Sequence, residues 1–322
     1  MKRAWLLPLI LLFAPASLFA EKLTLAHVAI NPAQGLFWIA RDSGLLAKYG
    51  FTADVVLVPG SPRTVQALIA GDLDYIVAGT AAVVRARIQG ADVVMVASPS
   101  THSSQRVVVR PDSTLNSLKD VKGKIIGVTQ FGSAGDTFLR TALRKVGLKE
   151  ADVTILQMGG TPGVTQALEA GRIEVGVLGE SAMLLVFQGK ARQLKGASAR
   201  ELGIPGLDGP LTTTERKLRR DRGGVLRFVQ AYVEAIHYFK ANKPGTVRVL
   251  QKYMRGLSEQ QIGAWVDDVK ANLQAAPYPD DESLRSELEQ INAPKSQSMA
   301  YFVDRSILDE IKKSGFIDRL YR

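Results

Sequence analysis

The sequence predicts an α/β protein made of two similar lobes, and three observations carry that prediction. The first is an internal repeat: Gly60–Ala82 (GSPRTVQALIAGDLDYIVAGTAA) is answered without a gap by Gly160–Ala182 (GTPGVTQALEAGRIEVGVLGESA). Identities fall at ten of the 23 positions, among them Gly60/Gly160, Pro62/Pro162, Gly71/Gly171 and Gly79/Gly179. The second is the grammar of each copy. A glycine-containing loop opens a helix (62–70 or 162–170), Gly71 or Gly171 closes it, and a short apolar strand runs to the loop at Gly79 or Gly179. Helix then strand, with tight glycine stops, is the unit of a parallel α/β sheet. The third is size: 322 residues, 46% hydrophobic and 22% charged, suffice for two domains with cores of their own.

The first twenty residues read differently. Lys2 and Arg3 precede the apolar run Ala4–Phe13, and small residues cluster at Ala14, Ala16, Ser17 and Ala20. This is the pattern of a secretory signal peptide, too short to span a membrane comfortably. Cleavage is expected after Ala20, with Ala14-Pro15-Ala16 as a competing site and an uncleaved anchor as the alternative. The chain has no cysteine. That excludes disulfides, a thiolate nucleophile, a cysteine metal site and a cysteine lipid anchor, and it places the exported protein most simply in the periplasm.

Net charge is +10; without Lys2 and Arg3, 39 basic residues against 31 acidic ones leave +8. Export argues against nucleic acid as a partner. The basic residues are dispersed except in Arg216–Arg222 (RKLRRDR), which is either a solvated helix face or a contact for an acidic surface.

Taken in order, Leu23–Val28 is a strand, Ala29–Gln34 a loop and Gly35–Lys48 a helix with an apolar face. Asp54–Val58 is a second strand leading into the first repeat copy. Val93–Ala97 is a strand ending in the polar loop Ser98–Ser104, and Val107–Val109 is short and β-branched, broken by Arg110-Pro111-Asp112. The pattern then restarts, with a turn at Ser117–Lys122, a strand at Lys124–Val128, a loop at Thr129–Gly135, a helix over Asp136–Val146 and a strand at Val153–Leu156 before the second copy. Glycines and prolines fill Lys195–Leu211, and Leu211–Glu215 reads as a return strand. The remainder is helical: Val225–Lys240 ended by Pro244, a capping-box start at Ser258–Gln261, and a short helix at Leu308–Lys313.

These segments resemble a known family. The NPAQG loop at 31–35, FWIARDSGLLAKYGF, VQALIAGDLDYIVAGTAA, LKDVKGKIIGVTQFGSAGDTFLRTALRKVGL and LTTTERKLRR, in that order, are similar to substrate-binding proteins of ABC transporters in the nitrate/sulfonate/taurine and thiamine-precursor group. The resemblance covers nearly all of residues 22–315. It implies a two-lobed type II periplasmic-binding-protein fold with two crossover strands, here Arg106–Arg110 and Leu211–Glu215. On that division 21–108 is the first part of lobe one, 109–211 is lobe two, and 212–322 returns to lobe one with C-terminal helices. The resemblance also implies a monomer that holds a small molecule in the cleft, without a cofactor, and hands it to an ABC permease in the inner membrane.

In open α/β sheets ligands sit at the carboxyl ends of strands, where loops enter helices and the first N–H groups lack partners. The candidate ligand-binding residues therefore lie on those loops: Asn31, Ser61, Thr80, Ala81, Thr101 and His102 in lobe one, and Ser133, Ala134, Thr161, Glu180 and Ser181 in lobe two. The small residues among them either admit a ligand to backbone donors or merely cap helices. Arg63, in the first helical turn, either grips an anion bidentately or faces solvent. Glu180, where the repeat has Thr80, either selects an amine-bearing ligand or pairs locally. The duplication predicts contacts from both members of each pair: Asn31 with Ser133, Ser61 with Thr161, Thr80 with Glu180.

No catalytic or metal site is expected. Phe131-Gly132-Ser133-Ala134-Gly135 lacks the first glycine of a nucleophile elbow, no phosphate-cradling glycine motif occurs, and three separated histidines give no zinc pattern. An enzyme on this fold stays as one alternative, and a ligand-sensing partner of a membrane receptor as another. Sulfonate, nitrate, taurine and pyrimidine-like ligands remain open.

Overall fold

Alternate residues of each short strand feed helices on opposite faces of its sheet. In β1 (Glu21–His27) Leu23 and Leu25 join one apolar cluster while Ala26 joins another, and in β3 (Tyr75–Val77) Tyr75 and Val77 part from Ile76 in the same way. A sheet covered on both faces needs such near-continuous apolar strands. The computed structural model describes residues 20–294 and 297–322. The expected signal peptide lies outside the described residues except for Ala20.

The first stretch of chain contributes, besides β1 and β3, α1 (Leu36–Asp42), α2 (Leu45–Lys48), β2 (Phe51–Leu57), α3 (Ser61–Ala70), α4 (Thr80–Ile88) and β4 (Val94–Ala97). The second contributes β5 (Arg106–Val109), β6 (Ile125–Val128), α5 (Ala134–Lys145), β7 (Thr154–Gln157), α6 (Thr161–Glu169), β8 (Val175–Leu178), α7 (Ala182–Phe187) and β9 (Arg192–Ser198). Then follow β10 (Leu211–Thr213), α8 (Glu215–Arg220), α9 (Arg222–Ala241), α10 (Lys243–Gln251), α11 (Glu259–Asn272), α12 (Asp281–Gln290), α13 (Ser306–Lys313) and α14 (Phe316–Leu320).

The strands form two five-stranded sheets, ordered β2-β1-β3-β10-β4 and β7-β6-β8-β5-β9. The two orders correspond place by place, as the duplication requires. In each, the fourth strand runs antiparallel to its neighbours and arrives from the other lobe. These are the two crossover strands. β5 pairs with β8 along its whole length, Arg106 with Leu178 through Val109 with Val175. The chain therefore changes lobe before Arg106, upstream of the boundary expected at 108/109, and β10 belongs to the first sheet from Leu211 onward.

The C-terminal helices cover one face of the first sheet. Phe228 of α9 stacks on Tyr75 with ring centroids 3.8 Å apart, and α13 adds Ile307, Leu308 and Ile311 to the same cluster. Several elements differ from the sequence reading. The expected single helix over 35–48 breaks at Gly44, whose φ of +80° suits glycine. Pro244 opens α10 instead of ending α9, because Asn242 caps the new helix and a proline in the first turn has no N–H to lose. Strand β9 and helix α12 show weak apolar patterns, since β9 is an edge strand and α12 buries only one apolar residue, Leu284.

Candidate functional site

Each sheet turns the carboxyl ends of its parallel strands toward the other. β2, β3, β6 and β7 each lead into a helix, so the starts of α3, α4, α5 and α6 converge on the space between lobes. The lobes meet there. Gly60, at φ +91°, packs against the side chain of Gln130, and Gly160 packs against Pro59. A Cβ on Gly79 would lie 2.9 Å from that of Ala134, so only glycine permits this approach. Arg85 of α4 reaches across to donate to the carbonyl of Gly132 at 2.9 Å and to the Thr137 hydroxyl at 3.2 Å. The lobes are in contact, and a partly open cavity of about 70 Å³ lies between them.

Seven of the candidate residues line this cavity: Asn31 and Ser61 from the first lobe, and Ser133, Ala134, Thr161, Glu180 and Ser181 from the second. Several hydroxyls also serve the fold. Ser133 caps α5 by accepting from the Asp136 amide at 3.3 Å, and Ser61 accepts from the Gly79 amide at 3.0 Å. Asn31 accepts from the Gln34 amide at 2.8 Å and donates across the cleft to Ser181 at 3.5 Å.

The other five lie elsewhere. The Thr80 hydroxyl donates to the Leu207 carbonyl at 2.9 Å and is fully buried there, and Ala81 sits in the core. Arg63 is exposed on the face of α3 opposite Thr64, Val65 and Leu68. Thr101 turns its hydroxyl to His102, and its carbonyl accepts from Ser283. The exposed His102 borders a second cavity of about 280 Å³ instead. His27, at the end of β1, donates through Nδ1–H to the Ala29 carbonyl, and burial pushes its pKa down to about 4, which keeps the ring neutral.

Glu180 is held from two sides. One oxygen accepts from Arg106 at 2.9 Å and the other from the indole of Trp265 at 2.9 Å. Burial raises its pKa and the Arg106 guanidinium opposes that rise. The carboxylate is thus neutralised within the protein and does not stand as a free anion in the cleft.

A second carboxyl forms no ion pair among the described residues. Asp208 lies on the return connection before β10 and borders both cavities, which also share Ala33, Ser104, Gln105 and Glu180. Burial and the neighbouring charge of Glu180 push its pKa up to about 7, against the opposing effects of Ser104 and Arg106. Beyond it, Glu287 of α12 is pushed up to about 8, first by burial and then by Asp208.

Sequence reasoning missed Gln105, Asp208 and Trp265. A signal for the first two was present. The crossover strands had been located, and residues just before a crossover must floor the cleft, since both connections pass there. Trp265 gave no such signal, because its contact with Glu180 spans 85 positions. Among the described residues no cluster of His, Asp and Glu is arranged to hold a metal ion, and no helix is long and apolar enough to cross a membrane.

Residues 31–245 match the family model described as NMT1/THI5 like. A protein of Brucella abortus described as a candidate binding protein is 35% identical over 152 residues, 47% of this chain and 46% of that one, so the match spans about half the length of that relative. A protein of Bordetella bronchiseptica RB50 has a similar structure (TM-score 0.79, 17% identity, covering 91% of this chain and 98% of that one). So does the alkanesulfonate-binding protein SsuA from Xanthomonas axonopodis pv. citri, solved with MOPS bound (TM-score 0.73, 24% identity, 89% and 99% covered). At these identities the structures establish a shared two-lobed fold.

Proposed function

The chain belongs to the NMT1/THI5-like family, and from that membership we propose that it is an exported solute-binding protein that closes two lobes over a small molecule and presents it to an importer permease. The observation that carries this reading is the cavity of about 70 Å³ between the lobes, lined by helix starts from both. Neither lobe alone encloses it, so a molecule held there favours the closed arrangement over the open one. The SsuA structure, a binding protein of the same fold, supports the transport role. Ligand delivery needs a reversible cleft and a surface that exists only when it is shut. Both follow from lobes joined by two connections.

Solute binding is tested by a thermal-shift screen over sulfonates, nitrate, amino acids, phosphonates and pyrimidines, since a ligand selective for the folded state at 100 times its Kd adds about 2.7 kcal/mol of stability. At least one class should raise the melting temperature and reduce the radius of gyration in small-angle scattering. Silence across the whole panel would remove the binding reading. Export is tested by mass spectrometry of periplasmic extract, where the chain should begin near Glu21; full-length protein in the cytoplasm would remove the exported role.

A further inference from the structure

We propose that Asp208 and Gln105, one from each connection between the lobes, choose the ligand, and that they select a compact zwitterion by binding its ammonium group. This rests on the solute-binding reading and names the class of solute. Two observations lead to it.

The first is an imbalance of polar groups around the cavity. Glu180 is neutralised by Arg106, whereas Asp208 forms no ion pair among the described residues. Gln105 is only 8% exposed and borders the same cavity, yet its side-chain amide makes no hydrogen bond to another described residue. An amide with no hydrogen-bond partner and a carboxyl held by the Ser104 hydroxyl, with no cation paired to it, leave bonding capacity for something else to complete. A protonated amine does so: it donates to Asp208 and to the amide oxygen of Gln105, and it supplies the positive charge that the carboxyl lacks. The raised pKa of Asp208 agrees, since it marks a carboxyl with too little positive charge around it.

The second is the rest of the lining. The cavity is also bounded by the first turns of α3, α5 and α6, at Ser61, Ala134 and Thr161, where backbone N–H groups and the helix dipoles favour an anion. Helix-start donors and an unpaired carboxyl bordering one cavity describe a molecule with a negative head and a positive end. The cavity of about 70 Å³ is small, which favours a compact molecule, and through Asp208 and Gln105 it adjoins the cavity of about 280 Å³.

The test uses three matched pairs of probes: glycine against acetate, taurine against ethanesulfonate, and aminomethylphosphonate against methylphosphonate. Calorimetry on the mature protein should show the amine-bearing member of the preferred pair binding about 10- to 100-fold more tightly. In Asp208→Asn, which keeps shape and removes charge, that ratio should fall toward one while the amine-free member binds no worse. Equal affinities within every pair in the wild type would overturn the proposal even if the variant failed to fold. So would a ratio unchanged in a folded Asp208→Asn. Silence from all six probes also overturns it, whereas the solute-binding reading falls only if the wider screen is silent too.

Discussion

The indole N–H of Trp265 donates to Glu180 across 2.9 Å and so ties α11 to the loop that opens α7. Trp265 is packed in the cluster shared by the first sheet and the C-terminal helices, while Glu180 follows β8 of the second sheet. The bond therefore links the two lobes, and it should hold them together if opening the cleft separates its partners. Trp265→Phe keeps the ring and removes the donor. Because the acceptor is a buried carboxylate, ligand affinity should fall about 10- to 100-fold, read by calorimetry. Unchanged affinity would show that the bond is as well satisfied in the open form.

Arg85 is the second tie, and its two hydrogen bonds end on Gly132 and Thr137 of the other lobe. Arg85→Ala should shift the ligand-free protein toward the open form and weaken ligand binding about 3- to 10-fold. Small-angle scattering without ligand reads the first effect as a larger radius of gyration. A profile identical to wild type would mean that other contacts alone hold the lobes shut.

Glu287 makes stability depend on pH. Its pKa is about 8 in the folded protein, against an ordinary 4.5. Below pH 4.5 both states are protonated and the group has no effect. As pH rises toward 8 the unfolded chain releases its proton and the folded one does not, so the folded state is progressively penalised, and above pH 8 the penalty is constant. Glu287→Gln should therefore stabilise the protein at pH 9 by a few kcal/mol, at about 1.4 kcal/mol per pKa unit, and leave it unchanged near pH 4. Denaturant titrations at the two pH values check this; equal effects at both would show that Glu287 keeps its charge on folding.

Asp208 should make binding of an ammonium-bearing ligand depend on pH as well. Glu180, Arg106 and Glu287 face it, and its pKa is about 7. The ionised form binds the ammonium, so affinity should rise about tenfold between pH 6 and pH 8. Asp208→Asn should flatten the profile, and Glu287→Gln should leave a rise intact. A flat profile in the wild type would mean that Asp208 does not touch the ligand.

The fold was legible because its signals are local. Glycine stops and apolar runs set each helix–strand unit, and the repeat carries the correspondence of the lobes in the sequence itself. For the same reason Ser61, Thr161 and Ser133 were readable as cavity residues: a loop at the carboxyl end of a parallel strand is placed by its own strand. Thr80 was misjudged because its partner, the Leu207 carbonyl, lies 127 positions away. Of the two readings of Arg63, the structure shows the solvent-facing one, which helical phase favours, since Thr64, Val65 and Leu68 fix the inner face of α3. The neutralisation of Glu180 needed Arg106 and Trp265, 74 and 85 positions distant, which no periodicity reveals.

The strand orders also impose a schedule on the growing chain. All five strands of the second sheet lie within residues 106–198, so that sheet can close as soon as its own segment is available. The first sheet cannot, because the one strand beside β4 is β10, which arrives more than a hundred positions later, and the backbone that bridges Met95 on its other side, at Val303, arrives later still. Until then β3 and β4 present open edges, which are templates for mispairing. Its core stays incomplete until Ile307, Leu308 and Ile311 arrive. The first sheet is thus the last to be completed, and its β3 and β4 edges are the ones left open in the meantime.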